Sequence, residues 1–149
     1  MFESRELDPE ECARLLRAGV VGRVALSTPD GPHIIPVNYA VHEDTVVVRT
    51  SAYSILGTYG RNAMVAFEID HIDYDRHVGW SVVARGRAWD EVEPDEISRI
   101  REAWPPRPWA AGNRNLYLRI RWESLTGRQL GSDWTRANES PVHRTLTAL

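Results

Sequence analysis

A tryptophan and a serine stand side by side at the start of a long strand pattern. They are Trp80 and Ser81, which follow Gly79 at the start of the run 78–90, and another β-patterned run, 63–70, precedes them. Two long neighbouring strands of this kind are typical of a small antiparallel barrel. A flat indole and a hydroxyl at the mouth of such a barrel suit a planar, partly polar ligand. Because neighbouring residues of a strand point to opposite faces, only one of these two side chains can point inward.

The loop between the two runs gathers side chains of the types that bind divalent metals. The set is Asp70, His71, Asp73, Asp75 and His77. Its spacing matches none of the regular ligand patterns of metal sites. Acidic loops with histidines are usually solvated, so the sequence favours a surface loop over a metal site.

The composition excludes several kinds of chemistry. All 18 cationic side chains are arginines, so a Schiff base to lysine and the lysine of a phosphate-binding loop are both excluded. A phosphate would have to be held by arginine, hydroxyls or backbone amides. The single cysteine, Cys12, excludes an intramolecular disulfide, and its place on an apolar helix face predicts burial. No nucleophile elbow and no glycine-rich dinucleotide fingerprint occurs.

The length and the net charge of the chain limit the number of domains and the kinds of partner that we expect. A chain of 149 residues predicts one domain, 1–130, followed by a polar and mobile tail, 131–149. The net charge of −3 argues against a nucleic-acid surface. No apolar run approaches the roughly 18 residues of a membrane span, and the acidic stretch from Glu3 to Glu11 lacks the features of a signal peptide. We therefore expect a cytoplasmic protein with no membrane or nucleic-acid partner.

The pattern along the chain predicts short helices between antiparallel strands. Asp8 to Glu11 reads as a capping box that opens a helix ending at Gly19, Ser54 caps a second short helix, and Pro94 opens a third that Pro105 ends. The predicted strands are 20–27, 33–41, 45–50, 63–70, 78–90, 116–122 and 124–130. This order favours a mainly β fold, a small closed or split barrel of six to seven antiparallel strands.

Four segments carry a resemblance to a known family. They are GVVGRVALSTPDGPHIIPVNYAV, VVVRTSAYSILGTYGRNAMVAFEID, GWSVVARGRAWDEV and RPWAAGNRNLYLRIRWESLTGR, and with their surroundings they cover about residues 7–130. In this order and spacing the chain resembles the pyridoxamine 5'-phosphate oxidase-like superfamily of flavin-binding split barrels. It is most similar to small actinobacterial-type members, related to nitroimidazole-resistance proteins.

The resemblance implies a homodimer with FMN at the subunit interface. The flavin phosphate would be held at the end of the third strand and the start of the next helix, by Arg49, Thr50, Ser51, Ser54 and Ile55, with Arg61 near. Many relatives carry glycine, serine and lysine at 53–55, where this chain has Tyr53, Ser54 and Ile55. The missing cation removes a charge-assisted contact worth about 1.5–3 kcal/mol.

Four further positions complete the candidate site that the resemblance implies. Asn38 would bond the flavin ring, and the ring would lie near Trp80, Ser81 and Trp109. Three of them have a purely structural alternative: Asn38 satisfies an edge strand, Trp80 packs in the core, and Trp109 plugs the barrel end. Thr50 and Ser51 have one as well, since they could simply end a strand.

The function expected from the resemblance is that of an FMN-dependent oxidoreductase acting on a small organic substrate. No side chain is assigned as an acid or base, because the flavin itself carries out the transfer. One alternative is a deazaflavin-dependent reductase, with a groove of arginines for the acidic cofactor tail (Arg107, Arg114, Arg119 and Arg121). Another is a non-catalytic flavin or haem binder, in which the axial ligand would be one of four histidines (His33, His42, His71 and His77).

Overall fold

The computed structural model describes residues 4–103 and 114–131. Three helices lie between the strands: α1 (Pro9–Ala18), α2 (Ile55–Tyr59) and α3 (Pro94–Ala103). The strands are β1 (Ser4–Leu7), β2 (Val21–Thr28), β3 (Gly31–Asn38), β4 (Ala40–His42), β5 (Thr45–Thr50), β6 (Met64–Asp73), β7 (Val78–Glu91) and β8 (Leu116–Leu130).

The strands form one curled antiparallel sheet in the order β3-β2-β6-β7-β8-β5-β4, and β1 pairs with the second half of β8. This confirms the predicted antiparallel split barrel. In β2, β6 and β7, alternate residues point inward and form the core, as the period of two in the sequence requires. In β7 the inward set includes Trp80, Val82 and Ala84, while Ser81 and Val83 face outward.

The barrel interior is closed by aromatic packing and by α1. The Tyr39 and Phe67 rings meet edge to face with centroids 4.6 Å apart, and the Tyr39 hydroxyl donates to the Leu16 carbonyl at 2.6 Å. Tyr39 thereby ties the sheet to α1, on which Leu16 and Cys12 are buried. Burial raises the pKa of the Cys12 thiol, and the nearby Asp8 carboxylate adds to the effect.

Helix α1 begins with the predicted capping box. The Glu11 amide donates to Asp8 Oδ1 at 2.8 Å, and the Asp8 amide donates to Glu11 Oε2 at 3.2 Å. Two amides without partners inside the helix are satisfied in this way. The helix ends before Gly19, as the sequence predicts.

The last strand differs from the prediction, which gave two short strands at 116–122 and 124–130. The structure has one continuous strand, β8, bent at a bulge. Arg85 pairs with Ser124 and Gly86 pairs with Trp122, so Glu123 has no partner on β7. A bulge breaks the alternation of inward and outward residues, which is why the sequence pattern looks like two strands.

Three other boundaries also differ. The strand predicted at 33–41 is divided into β3 and β4 at Tyr39, whose amide instead donates to the Val20 carbonyl. The loop predicted from His71 is shorter, because β6 runs on to Asp73. β1 was not predicted, since Ser4–Leu7 is polar and gains its strand geometry by pairing with β8.

Helix α3 covers the outer face of β5 and β8. Ile100 is buried there with Val47 and Tyr117, and Ile97 packs beside them. Trp104, which the sequence places on the same helix face, lies outside the described residues, as do Trp109 and nearly all of the tail predicted at 131–149. Among the described residues, no helix is long and apolar enough to cross a membrane.

Candidate functional site

A closed set of hydroxyl contacts shapes the turn between β5 and α2. The Ser54 hydroxyl donates to the Ser51 carbonyl at 2.8 Å and accepts from the Gly57 amide at 2.9 Å. The Thr50 hydroxyl oxygen lies 2.8 Å from that of Ser54. Because Ser54 has one proton and has donated it, Thr50 is the donor in this contact. The Thr50 and Ser54 protons are therefore both committed within the turn, and Ser54 is the N-cap of α2.

Ser51 differs from its two neighbours. Its hydroxyl oxygen accepts from the Tyr53 amide at 3.2 Å. Within the described chain, its own proton goes to no hydrogen-bond acceptor. Unlike Thr50 and Ser54, Ser51 thus keeps a donor for a ligand.

Two guanidinium groups flank the turn. Arg49 Nε donates to the Arg114 carbonyl at 3.2 Å, and its guanidinium lies 5.1 Å from the centre of the Tyr117 ring. Arg61 Nε donates to the Gly57 carbonyl at 2.7 Å, and its Nη1 lies 3.9 Å from Asp90 Oδ2. Both arginines are held by their Nε atoms, which leaves Nη donors that suit an anion.

The position of the missing lysine is open to solvent. Ile55 is the first residue of α2 and is 43% exposed, and Tyr53 beside it is 96% exposed. Helix α2 has only five residues, so its dipole adds little to anion binding. The charge for a phosphate would have to come mainly from the two arginines.

An open cleft of about 380 Å³ lies against this turn. One wall is formed by Ser51, Ala52 and Tyr53, and the opposite wall includes Asp90 and Glu91. Glu91 is already used, because its carboxylate accepts from Arg119 Nη1 at 3.1 Å and from the Glu93 amide at 3.2 Å. Asp90 keeps acceptor capacity toward the cleft, which suits the hydroxyls of a sugar or polyol.

Asp90 and Asn115, both at the cleft, were missed by sequence reasoning. Asp90 comes near the end of β7 and pairs with Leu118, and Asn115 immediately precedes β8. They reach the turn only because β5 and β7 both pair with β8. These two residues can be assigned to the cleft only when the strand pairing is known, and the pattern of the sequence does not predict the pairing.

The remaining predicted site residues are spread over the barrel. Trp80 points inward and is buried in the core, while Ser81 faces outward on the same strand. Asn38 ends β3 opposite Val21. Trp109 lies outside the described residues. Residues 49–54 and Ser81 are not brought together within one chain, because their partners on β8, Leu116 and Arg128, are about twelve residues apart, roughly 40 Å of strand.

Of the arginines expected to line a groove for a deazaflavin, three lie in the described part of the chain and have other contacts there. Arg119 is buried under α3 with its Nη1 on Glu91 and Glu96 and its Nε on Thr45. The Arg121 guanidinium lies 6.0 Å from the centre of the Trp89 ring. Arg114 offers its carbonyl to Arg49, and Arg107 lies outside the described residues.

The histidines and the acidic loop also lie apart from the turn. His42 packs beside Glu96 of α3, with Nε2 at 3.5 Å from Oε2, and His77 lines a different cleft, near Trp80. Asp70 pairs with Arg23 at 2.8 Å, and Asp73 accepts from the amides of Asp75 and Arg76 in the turn after β6. In the part of the chain that the structure describes, no three His, Cys, Asp or Glu side chains form a group suited to a metal.

Comparison with known proteins decides the family. A family model described as pyridoxamine 5'-phosphate oxidase matches residues 8–129. The chain belongs to this family. The match begins directly after β1 and ends one residue before the end of β8, and it confirms the family resemblance.

Individual members of the family and of the fold agree with this. The uncharacterized protein Rv0080 of Mycobacterium tuberculosis is 31% identical over 133 residues, 86% of each chain. The structure of an FAD binding protein from Mycobacterium smegmatis is 28% identical, with a TM-score of 0.70 over 83% of this chain and 96% of that one. A Bacteroides thetaiotaomicron protein, provisionally assigned to 5-nitroimidazole antibiotic resistance, shares the fold at 13% identity, with a TM-score of 0.69 over 87% of this chain and 89% of that one.

Proposed function

We propose that the chain is an FMN-dependent oxidoreductase acting on a small organic substrate. When bound, the flavin supplies the hydride or electron transfer, and the protein supplies orientation, hydrogen bonds and exclusion of water. Membership of the pyridoxamine 5'-phosphate oxidase family supports a flavin, as does the name of the M. smegmatis relative. No side chain is given the role of acid or base.

The observation that carries the proposal is the cleft at the end of β5. It brings the free proton of Ser51 and the carboxylate of Asp90 to one open volume, and Arg61 reaches Asp90 at its edge. A phosphate near Ser51 and the two arginines would receive charge-assisted hydrogen bonds. The ribityl hydroxyls of the flavin would donate to Asp90, which would repel a phosphate placed at the same point.

The site is proposed to be completed by a second copy of the chain. Ser81 faces outward on β7, and residues 49–54 lie at the other end of the β7–β8 ribbon. A single flavin is much shorter than the roughly 40 Å of strand between them. A homodimer in which Ser81 of one copy faces the turn of the other would supply both halves, and Asn38 and Trp109 remain candidates for contacts to the ring.

FAD is a second candidate, favoured by the same cleft. An acidic side chain that accepts from ribose hydroxyls is a common feature of dinucleotide sites, and Asp90 offers such an acceptor beside the exposed Tyr53 ring. Because position 55 carries no lysine, the terminal phosphate of FMN loses a charged contact. FAD depends less on that contact, because its second nucleoside adds further contacts to the protein. Binding of FMN and FAD to the same flavin-free protein separates the two.

The test begins with the absorption spectrum of the purified chain and mass identification of any bound ligand. The flavin-free protein is then titrated with FMN and FAD. We expect Arg61→Gln to weaken binding of the preferred flavin by roughly tenfold to a hundredfold through loss of a charge-assisted contact. Arg87→Gln is the matched control, since Arg87 is an exposed arginine that contacts the Asn62 carbonyl away from the cleft. A protein that binds neither flavin contradicts the proposal.

Mixing two defective variants tests the dimer. Arg61→Gln damages the turn half of the site, and Ser81→Trp blocks the outward face of β7. If each site uses both copies, each heterodimer regains one intact site of its two. About half of the dimers in an equimolar co-refolded mixture are heterodimers, so flavin should bind at about a quarter of all sites. If no flavin binding returns and light scattering gives the mass of one chain, the dimeric site is excluded.

A further inference from the structure

A second cleft, of about 480 Å³, lies at the opposite end of the β7–β8 ribbon. Its walls are mainly apolar and are formed by Ile72, Val78, Gly79, Trp80 and Leu130. The volume falls within the range of small-molecule sites. Neither the phosphate candidates nor the acidic cleft at Asp90 contributes to it.

The apolar walls of this cleft are unusually open to solvent. Ile72 is 48% exposed and Leu130 is 49% exposed, although both are large aliphatic side chains at strand ends. Val78 and Trp80 form the buried floor between them. Covering such a surface is favourable because it removes apolar area from water, so an apolar body placed here gains affinity from contact with both walls.

A guanidinium stands at the rim, and His77 also lines the cleft. Arg128 lines the cleft from the outer face of β8, where its cross-strand neighbours are Ser81 and Glu6. Glu6 lies opposite in register, but within the described chain the Arg128 guanidinium forms no ion pair and donates to no acceptor. An arginine that donates to no acceptor among the described residues, beside an apolar cleft, is suited to the head group of an organic acid.

We propose that this cleft binds a small organic anion with an apolar body, whose carboxylate pairs with the Arg128 guanidinium. The hydrophobic walls select the body, and Arg128 selects the charged end. In the flavin-dependent reaction proposed above this anion is the substrate, and that role alone rests on the proposed function. Binding itself does not require a flavin.

The test is calorimetric titration of the full chain, free of flavin, with phenylbutyrate and with its uncharged amide. We expect the acid to bind the wild-type protein roughly tenfold to a hundredfold more tightly than the amide, because only the acid forms the charge-assisted contact. Arg128→Gln should remove this preference, and Arg128→Lys should keep part of it. Arg85→Gln is the matched control, because Arg85 also faces outward on β7 without an acidic partner among the described residues but does not line the cleft.

Ile72→Asp locates the body of the ligand. The change removes one apolar wall and adds a negative charge, so binding of the acid should fall by at least tenfold and binding of the amide should also weaken. Because Ile72 is half-exposed, the fold is expected to tolerate the change, which circular dichroism checks. Equal affinity for acid and amide in the wild-type protein, or an unchanged preference in Arg128→Gln, overturns the inference.

The two proposals fail in different ways. A protein that binds flavin but not phenylbutyrate contradicts only the cleft proposal. The same result is expected if another part of the chain fills the cleft. A protein that binds phenylbutyrate but no flavin contradicts only the proposed function. If FMN displaces phenylbutyrate, the cleft belongs to the cofactor and the inference is wrong.

Discussion

The hydroxyl oxygens of Thr50 and Ser54 lie 2.8 Å apart, with Thr50 as the donor. Thr50 is only 4% exposed, so the contact is protected from water. It links the end of β5 to the first turn of α2 and fixes the path of the chain past Ser51. The conformation of the candidate phosphate turn is therefore set by residues that have no donor to spare for the phosphate.

Ser54→Ala should destabilise the fold without abolishing flavin binding. Loss of an N-cap costs about 0.5–2 kcal/mol, and here the Thr50 hydroxyl also loses its acceptor. Urea denaturation measures the loss. Ser51→Ala is the counterpart, because it should leave the free energy of unfolding nearly unchanged and weaken flavin binding instead. The reverse pattern would mean that Ser54, and not Ser51, contacts the ligand.

Restoring the cation at position 55 should strengthen flavin binding. Ile55 is 43% exposed at the start of α2, so a lysine fits there without repacking the core. An added charge-assisted contact to a phosphate raises affinity by roughly tenfold or more. Fluorescence titration of Ile55→Lys with FMN checks this, with Ile34→Lys, at an exposed position on β3, as the control for net charge. Equal affinities in both variants would place the phosphate elsewhere.

The bulge in β8 makes Gly86 a position that tolerates no side chain. A Cβ at Gly86 would lie 1.7 Å from the carbonyl oxygen of Arg121, a backbone atom that cannot move alone. Gly86→Ala should therefore cost about 1–3 kcal/mol or more, as overpacking does. Thermal or urea unfolding measures it against Ser124→Ala, an exposed change on the other side of the bulge. A stability equal to that of the control would show that the ribbon can shift.

Sequence reasoning gave α1, β5 and α2 correctly because their signals are local. A capping box, a run of valines and an N-cap serine each lie within a few residues, and each is found where predicted. β1 and the unbroken β8 were missed because they depend on pairing between distant segments. A polar strand at an edge and a bulged strand both lose the alternation that pattern reading needs.

In the candidate site, too, local features could be predicted from the sequence and contacts between distant segments could not. The turn residues from Arg49 to Ser54 could be named from the sequence through the family resemblance, but their hydrogen bonds could not. The Ser51 carbonyl accepts the Ser54 proton, and this contact decides which hydroxyl of the turn keeps a donor. The place of Asp90 at the cleft depends on the pairing of β7 with β8. The arginines show the limit most clearly, because Arg119 looks like any other arginine in the sequence and proves to be buried.

The attachment of α3 should weaken in acid. Hydrogen bonding to Arg99, together with the charges of Arg99, Arg119 and His42, lowers the pKa of Glu96 below its ordinary value. A lowered folded-state pKa stabilises the fold above the ordinary value of 4.5, and this contribution is lost as the pH falls through the folded-state pKa.

Urea denaturation at several pH values tests this, with Glu96→Gln as the variant that cannot titrate. The stability difference between wild type and Glu96→Gln should be constant near neutral pH and shrink below about pH 4.5. Arg99→Gln removes the hydrogen bond that contributes most to the lowered pKa of Glu96, so it should reduce the pH dependence of stability that Glu96 contributes. A difference that stays constant into strong acid would show that Glu96 makes no favourable contact in solution.

The buried ion pair of Arg119 and Glu91 gives the sharpest stability test of the region under α3. The side chains are only 5% and 8% exposed, and Arg119 Nη1 lies 3.1 Å from Glu91 Oε2. Arg119→Met leaves the Glu91 carboxylate buried without its cation, which costs about 3–5 kcal/mol. Adding Glu91→Gln in the double variant removes the stranded charge and should recover a large part of that loss. A double-mutant cycle measured by urea unfolding gives the coupling, and simple additivity of the two single changes would mean that water or another cation already compensates Glu91.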